Sequence, residues 1–343
     1  MGAFYAGLDV SDKTTAVCVI DDSGCIALER SVETTPSAVA SVLAPYKRVL
    51  KKVGHESGSR GPWLHKELSR RRYPIVCVDA RLVHGALSTQ RNKTDKNDAR
   101  GLAQVLRSGW YTPAYIKSDE AFRLRFLLIH RRSLKRKAVS IELALRGSLK
   151  VFGAQLVKSA GKIVLKQRRG HCDPLIAALC ESMLRARDAI QKEAKRLDDL
   201  VVKIAKKDLV CRRLMTVPGV GPITALTFRA AIDDPRRFLS SRNVAAHFGL
   251  TPRRFQSGQT DVTGRISKMG DESVRSALYE AAFVLLTSSK SSCLLRQWGL
   301  RIRREKGIKR AAVAVARKLA VIMHRMWITE RDFDPGLPTA KSK

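Results

Sequence analysis

Four acidic side chains, Asp9, Glu56, Asp95 and Asp98, stand at the ends of local sequence patterns in a 343-residue chain whose formal charge is +34. A chain this basic has few reasons to gather carboxylates. Asp9 ends an apolar run over residues 4–8, and Glu56 follows a second run through Val49, Leu50 and Val53. Asp95 and Asp98 are three apart, just ahead of a helix-like stretch at 99–106, a spacing that puts both on one helix face. Carboxylates from two strand ends and one helix start can converge on a divalent cation, and hard oxygen ligands suit Mg²⁺ or Mn²⁺. Each residue also has a purely structural reading. Asp9 can open a turn before Ser11 and Asp12, Glu56 can be a solvated loop residue, and Asp95 and Asp98 can be helix N-terminal charges favoured by the dipole. Their order and context together favour the metal-site reading. His55, beside Glu56, is expected to be structural rather than a ligand.

A second constellation lies in the C-terminal half. Ser257 precedes Gly258 and shares its segment with Arg253, Arg254, Arg265 and Lys268. Guanidinium groups there can grip a phosphodiester, stabilise charge in the transition state and hold a hydroxyl in line for attack. No His is adjacent, so a hydrolase triad is not indicated. Ser257-Gly258 reads equally well as a turn, and on chemistry alone the two readings stand level.

Binding signals are broader. Arg123, Arg125, Arg131, Arg132, Lys135, Arg136 and Lys137 fall among Leu124, Leu127, Leu128 and Leu134, an amphipathic helix whose cationic face suits phosphate contact. Gly219 and Gly221, in Val217-Pro218-Gly219-Val220-Gly221-Pro222 ahead of an apolar helix at 223–232, can turn backbone N–H groups toward a phosphate, as in a helix-hairpin-helix element.

Composition sets the frame. Lys and Arg total 65 against 31 Asp and Glu, with 44% hydrophobic residues, so the chain can bury two or three cores while its surface needs a polyanion partner. Nucleic acid is the default. An anionic membrane is the competitor, but no apolar run of about 18 residues and no signal-peptide pattern occur, so no membrane partner is expected and the chain reads as soluble and cytoplasmic. Seven scattered cysteines with no Cys-x-x-Cys pair exclude a zinc ribbon and argue against a disulfide framework.

The elements that must position these groups follow from periodicity. Strands are expected at 4–9, 15–20 and 26–32, the last two joined through Asp21-Asp22-Ser23-Gly24, then a helix from Pro36. A strand at 49–55, a helix carrying Trp63, Leu64 and Leu68, and a strand at 73–78 complete the order β-β-β-α-β-α-β-α. That order resembles the ribonuclease-H-like fold, with the helix bearing Asp95 and Asp98 as its last catalytic element. Residues 153–172 are expected to be a loose connection. Met183, Ile190, Leu197 and Ile204 recur every seven residues, a short coiled-coil seam for either an intrachain or a dimer contact. Residues 249–258 read as a polar, Arg-rich loop, and 334–343 as a frayed tail.

The motifs in this order resemble the DEDD transposases of bacterial insertion sequences, the group of bridge-RNA-guided recombinases. The likeness rests on Gly7-Leu8-Asp9-Val10-Ser11, Glu56-Ser57-Gly58, Asn92-Lys93-Thr94-Asp95-Lys96-Asn97-Asp98-Ala99-Arg100, Pro218-Gly219-Val220-Gly221, Gly249-Leu250-Thr251-Pro252-Arg253-Arg254, Ser257-Gly258 and Ile266-Ser267-Lys268-Met269-Gly270-Asp271. It implies a RuvC-like domain over 1–116, a basic helical and coiled-coil linker over 117–207, a mainly α transposase domain over 208–333 and a flexible tail. It implies Asp9, Glu56, Asp95 and Asp98 as an Mg²⁺-binding tetrad and Ser257 as a nucleophile that forms a covalent link to DNA. The implied partners are donor and target DNA, a structured non-coding guide RNA and further copies of the chain, as a dimer or dimer of dimers, in the cytoplasm with the nucleoid. Two alternatives stand beside it: a RuvC-like endonuclease that hydrolyses DNA with metal-activated water at the same carboxylates and has no need of Ser257, and a non-catalytic nucleic-acid-binding protein, for which charge alone suffices.

Overall fold

The first apolar run forms β1 (Phe4–Val10), the central strand of a five-stranded mixed sheet in this computed structural model. Residues 2–80, 85, 94–159, 162–166, 173–258 and 260–336 are described; Asn92, Lys93, Cys172 and the chain beyond 336 lie outside them. The chain divides into two units, Met1–Lys117 and Ser118–Lys343.

In the first unit β1 pairs antiparallel with β2 (Thr14–Asp21), which pairs antiparallel with β3 (Ile26–Glu33). On its other side β1 runs parallel to β4 (Leu50–Glu56), and β4 to β5 (Ile75–Val78), giving the order β3-β2-β1-β4-β5. The Asp21 carboxylate closes the β2–β3 turn by accepting the amides of Ser23 and Cys25, each at 2.9 Å. Helices α1 (Pro36–Leu43) and α2 (Gly61–Arg70) cover one face, where Ala6, Leu8, Val17, Val19 and Val53 meet Val39, Leu43, Leu64 and Leu68. Helix α3 (Asp95–Ser108) covers the other, where Ala16, Cys18 and Ile20 meet Ala99 and Ala103. Both faces are therefore dry at β1 and β2, which explains their unbroken apolar character. This mixed sheet, flanked in this order, fits a ribonuclease-H-like domain.

The second unit opens on two long helices, α4 (Asp119–Ser148) and α5 (Pro174–Lys207). Arg131 and Lys135 meet Asp198, Arg187 meets Glu142, and Cys180 packs with Leu145 and Leu149, so the partners descend as the numbering rises and the helices are antiparallel. The seven-residue seam is occupied, but by Cys180, Arg187, Ala194 and Val201 as its buried line; Ile190, Leu197 and Ile204 are half-buried and Met183 is exposed. The expected loose connection instead contains a hairpin, β6 (Gln155–Ser159) with β7 (Lys162–Lys166), because Leu156, Ile163 and Leu165 join the core at that end of the helix pair. Helices α6 (Leu209–Leu214), α7 (Pro222–Ile232), α8 (Ser241–His247), α9 (Glu272–Thr287) and α10 (Leu294–Thr329) build the remaining core around Phe228 and Phe248. Between α8 and α9 lies the hairpin of β8 (Pro252–Ser257) and β9 (Thr260–Ile266), where the sequence pattern reads as a loop. Its side chains are exposed almost throughout, so no apolar alternation announces it.

Candidate active site

Asp9 and Glu56 reach one edge of the sheet for a single reason. Parallel pairing aligns Leu8 with His55, and each acid is the next residue on its strand. Side chains alternate along a strand. Ala6, Leu8 and Val53 face α1 and α2, which leaves Gly7, Gly54 and then Asp9 and Glu56 on the α3 face. A Cβ on Gly7 would lie 2.7 Å from the Ala103 amide nitrogen and closer still to the Ala99 carbonyl oxygen; one on Gly54 would press into Leu106. The two glycines let α3 lie directly on the sheet.

Tyr5 packs with Leu102 and Leu106, and Gly7 lies under Ala99 and Ala103, so moving forward along β1 is moving back along α3. Two residues beyond Gly7 is Asp9; one turn before Ala99 and Leu102 are Asp95 and Asp98. Both helix acids continue the stripe of buried positions 99, 102, 103 and 106 into the first turn. The helix begins at Asp95, four residues ahead of the expected stretch, because Thr94 caps it by accepting the Asn97 amide at 3.2 Å. The four carboxylates thus belong to one edge. Their side chains do not close into a nest: among the described residues no group of three or more His, Cys, Asp and Glu could hold a metal ion as it stands. Like charges drawn to one edge repel until a cation offsets them. The donor set, all hard carboxylate oxygen, fits a divalent cation in chemistry.

One neighbour of Glu56 escaped the sequence reading. Asp79 directly follows β5 at the same edge, and its amide donates to the Thr112 carbonyl at 3.2 Å. Burial, then the charges of Asp79 and Glu56, push the Cys77 thiol up to about 11. The signal was available, since an apolar run ending in an acid is the pattern that marks Asp9. His55 is fully buried on the opposite face, its ring bonded to the Glu56 carbonyl at 2.8 Å and to His65 at 3.0 Å. Burial lowers its pKa to about 4. The imidazole is neutral, Nδ1–H donates to the Glu56 carbonyl, and His55 is structural, as expected.

Ser257 belongs to the second unit, as the last residue of β8, paired with Thr260 across a tight turn through Gly258, whose φ is +54°. Its hydroxyl is on an exposed residue. Phe255 and Val262, a directly opposed pair, are also exposed and share its face of the hairpin. Arg254 is on the other face, where Asp261 accepts two bonds from it at 2.8 and 2.6 Å. Arg253 donates to the Ser267 carbonyl at 3.2 Å, four residues from the serine along the strand. The expected grouping of Arg253 and Arg254 around the hydroxyl is therefore absent within the hairpin. Alternation turns Arg254 away from the serine once the segment is a strand, and Arg253 is four residues away, held by the Ser267 carbonyl.

The expected phosphate-binding residues divide similarly. Arg131 and Lys135 are both bound to Asp198, holding its carboxyl below the usual range against the opposing effect of burial. Arg132 donates to Ser273 at 3.0 Å and reaches Glu272 at 3.5 Å. Arg136, Arg265 and Lys268 are exposed. Gly219, at φ +90°, packs so closely on α9 that a Cβ would lie 2.5 Å from the Ala281 carbonyl oxygen, whereas Gly221 faces open space at the start of α7.

Comparison with known proteins gives the family. Residues 6–154 match a DEDD-type transposase family model of insertion sequence IS110, and residues 211–297 match the transposase IS116/IS110/IS902 family. The chain is 27% identical over 345 residues to the transposase for insertion sequence element IS1111A of Coxiella burnetii, covering 96% of this chain and 91% of the relative. It is 28% identical over 305 residues to a putative transposase of Sinorhizobium fredii, covering 86% and 74%. It is 30% identical over 257 residues to a probable family 20 transposase of Pseudomonas aeruginosa, covering 71% and 75%. No helix among the described residues is long and apolar enough to cross a membrane. Membership in a DEDD group implies a divalent metal, and the chain belongs to the IS110/IS116/IS902 family of insertion-sequence transposases, enzymes that cut and rejoin DNA.

Proposed function

We propose that this transposase is a site-specific recombinase that breaks DNA through a serine–DNA link, with Asp9, Glu56, Asp95 and Asp98 holding Mg²⁺ or Mn²⁺. The observation that carries the reading is the convergence of the β1 end, the β4 end and the first turn of α3 on one edge, with four hard-oxygen donors. When bound there, the ion supplies Lewis-acid polarisation of the scissile phosphate. The Ser257 oxygen forms the new bond to phosphorus, the bond to the leaving sugar oxygen breaks, the serine proton is released, and the leaving oxygen takes up a proton. Attack by another strand's hydroxyl end then rejoins the DNA and restores the serine. An exposed hairpin tip suits this role, since a nucleophile that engages a duplex must stand clear of its own core.

Guidance by a structured RNA is the reading that the order of motifs supports, and a chain of +34 has charge for RNA beside DNA. Gly221, Arg136, Arg253, Arg265 and Lys268 are proposed phosphate contacts. Assembly as a dimer or dimer of dimers, with tetrad and serine supplied by different copies, is supported by exposed Val139, Leu143, Leu175 and Leu179 where α4 and α5 approach their hairpin. Action on DNA supports a location with the nucleoid.

A denaturing gel after reaction with labelled DNA and co-purified RNA tests the mechanism. A protein–DNA adduct that is lost in Ser257→Ala is expected. Nicked DNA released by the Ser257→Ala variant supports hydrolysis by water instead, a reading favoured by the turn of Arg254 away from the serine.

A further inference from the structure

Helix α10 is broken. Gly307 has φ +78° and ψ 164°, a backbone conformation essentially reserved for glycine, inside an otherwise helical run from Leu294 to Thr329. Nothing lies within 4 Å of where its Cβ would sit, so packing does not demand a glycine there; the bend itself does. Around the bend, residues 301–310 carry six cations, Arg301, Arg303, Arg304, Lys306, Lys309 and Arg310, against one acid, Glu305. All six are exposed, and Arg303 alone reaches a neighbour, the Leu286 carbonyl at 3.4 Å. Among the described residues, Arg301, Arg304, Lys306, Lys309 and Arg310 make no ion pair or hydrogen bond.

Several cations elsewhere in the second unit are already paired. Arg125 is bound to Asp271 at 2.5 Å, Arg131 and Lys135 to Asp198, Arg187 to Asp188, Arg229 to Glu120 and Arg254 to Asp261. Those charges are spent on the protein's own acids, and breaking such pairs costs energy that phosphate contact must recover. Five unpaired cations along about 15 Å of helix carry a self-repulsion that the fold does nothing to relieve. A duplex DNA backbone, with one negative charge per roughly 1.7 Å of axis, relieves it at once and gains counterion release. The break at Gly307 turns the two helical segments along different directions, which a curved phosphate track can follow and a flat surface cannot.

We propose that the bend of α10 is a docking site for the phosphate backbone of duplex DNA, separate from the serine hairpin. The proposal rests on the family's action on DNA and adds the surface that receives it. The test is a salt titration of duplex binding with the full chain and with a variant carrying Gln at 301, 304, 306, 309 and 310; Gln keeps helix propensity and circular dichroism checks the fold. Each phosphate contact removed lowers the slope of log K against log salt by about 0.9, so a fall of about 4.5 is expected, equal for unrelated duplexes. A slope within about 1 unit of the unaltered protein's overturns the site while leaving DNA action intact. A fall seen with RNA and not with duplex DNA overturns the assignment to DNA. If the unaltered protein shows no salt-dependent binding to any duplex, the proposed recombination of DNA fails first and takes this site with it.

Discussion

Gly7 of β1 lies directly beneath Ala99 of α3, with no room between them for a Cβ. This approach sets how near the helix that bears Asp95 and Asp98 comes to the strand that bears Asp9. Gly7→Ala is expected to lever α3 outward, because the atoms in the way are backbone and cannot swing aside. Overpacking of this kind costs about 1–3 kcal/mol. Thermal unfolding should show the loss, and DNA cleavage should fall far more than the folded fraction does. Wild-type cleavage in Gly7→Ala would separate the helix position from the chemistry.

The tetrad is tested by isosteric amides. Asp9→Asn, Glu56→Gln, Asp95→Asn and Asp98→Asn should each abolish strand cleavage while leaving the melting temperature and RNA binding nearly unchanged, since the amide keeps shape but is a far poorer metal ligand. Full activity in any two of the four would remove the proposed metal site.

For α4, the ion pairs predict a split between neighbours. Arg131, only 12% exposed and bound to Asp198, should cost about 1–3 kcal/mol on replacement by Ala and leave the salt slope of binding almost unaltered. Arg136, exposed and unpaired among the described residues, should do the reverse: no change in stability and a slope lowered by about 1. A large slope change in Arg131→Ala would show that its pair with Asp198 opens to receive nucleic acid.

His324 gives the second unit a pH dependence. Its Nε2–H donates to the Pro235 carbonyl and its Nδ1 accepts from the Ser241 hydroxyl, both at 2.9 Å, which fixes α10 against α8. Burial, with Arg237 nearby, lowers its pKa below 6.5, although the bond to Pro235 acts the other way. A depressed histidine is neutral when folded, so the unfolded chain takes up the extra proton. Stability from this site is complete above pH 6.5 and is lost as pH falls toward the folded value. Denaturant melts between pH 7 and 5 should show the decline, and His324→Gln should flatten it. An equal decline in the variant would place the effect elsewhere.

Most of the first unit was legible because its signals are local. The apolar runs that form β1, β2, β4 and β5, the Asp21 turn and the Pro36 helix start each follow from a handful of adjacent residues. Helical spacing alone put Asp95 and Asp98 on one face. The serine hairpin was not legible, since exposed β8 and β9 offer no alternation, and a loop reading leaves Arg253 and Arg254 as equals beside Ser257.

By itself the sequence determined the family, the basic surface and the order of elements, all of which are carried by residue type and short-range spacing. The tertiary structure alone decided which charges are available. Asp198 lies 67 residues beyond Arg131, Asp271 146 beyond Arg125, and neither pairing leaves a trace in local pattern. It also decided that Gly7 and Gly54 are where α3 rests, and that Gly307 breaks the helical run from Leu294 to Thr329. Charge neutralisation and close approach are properties of pairs distant along the chain, and only folding brings such pairs together.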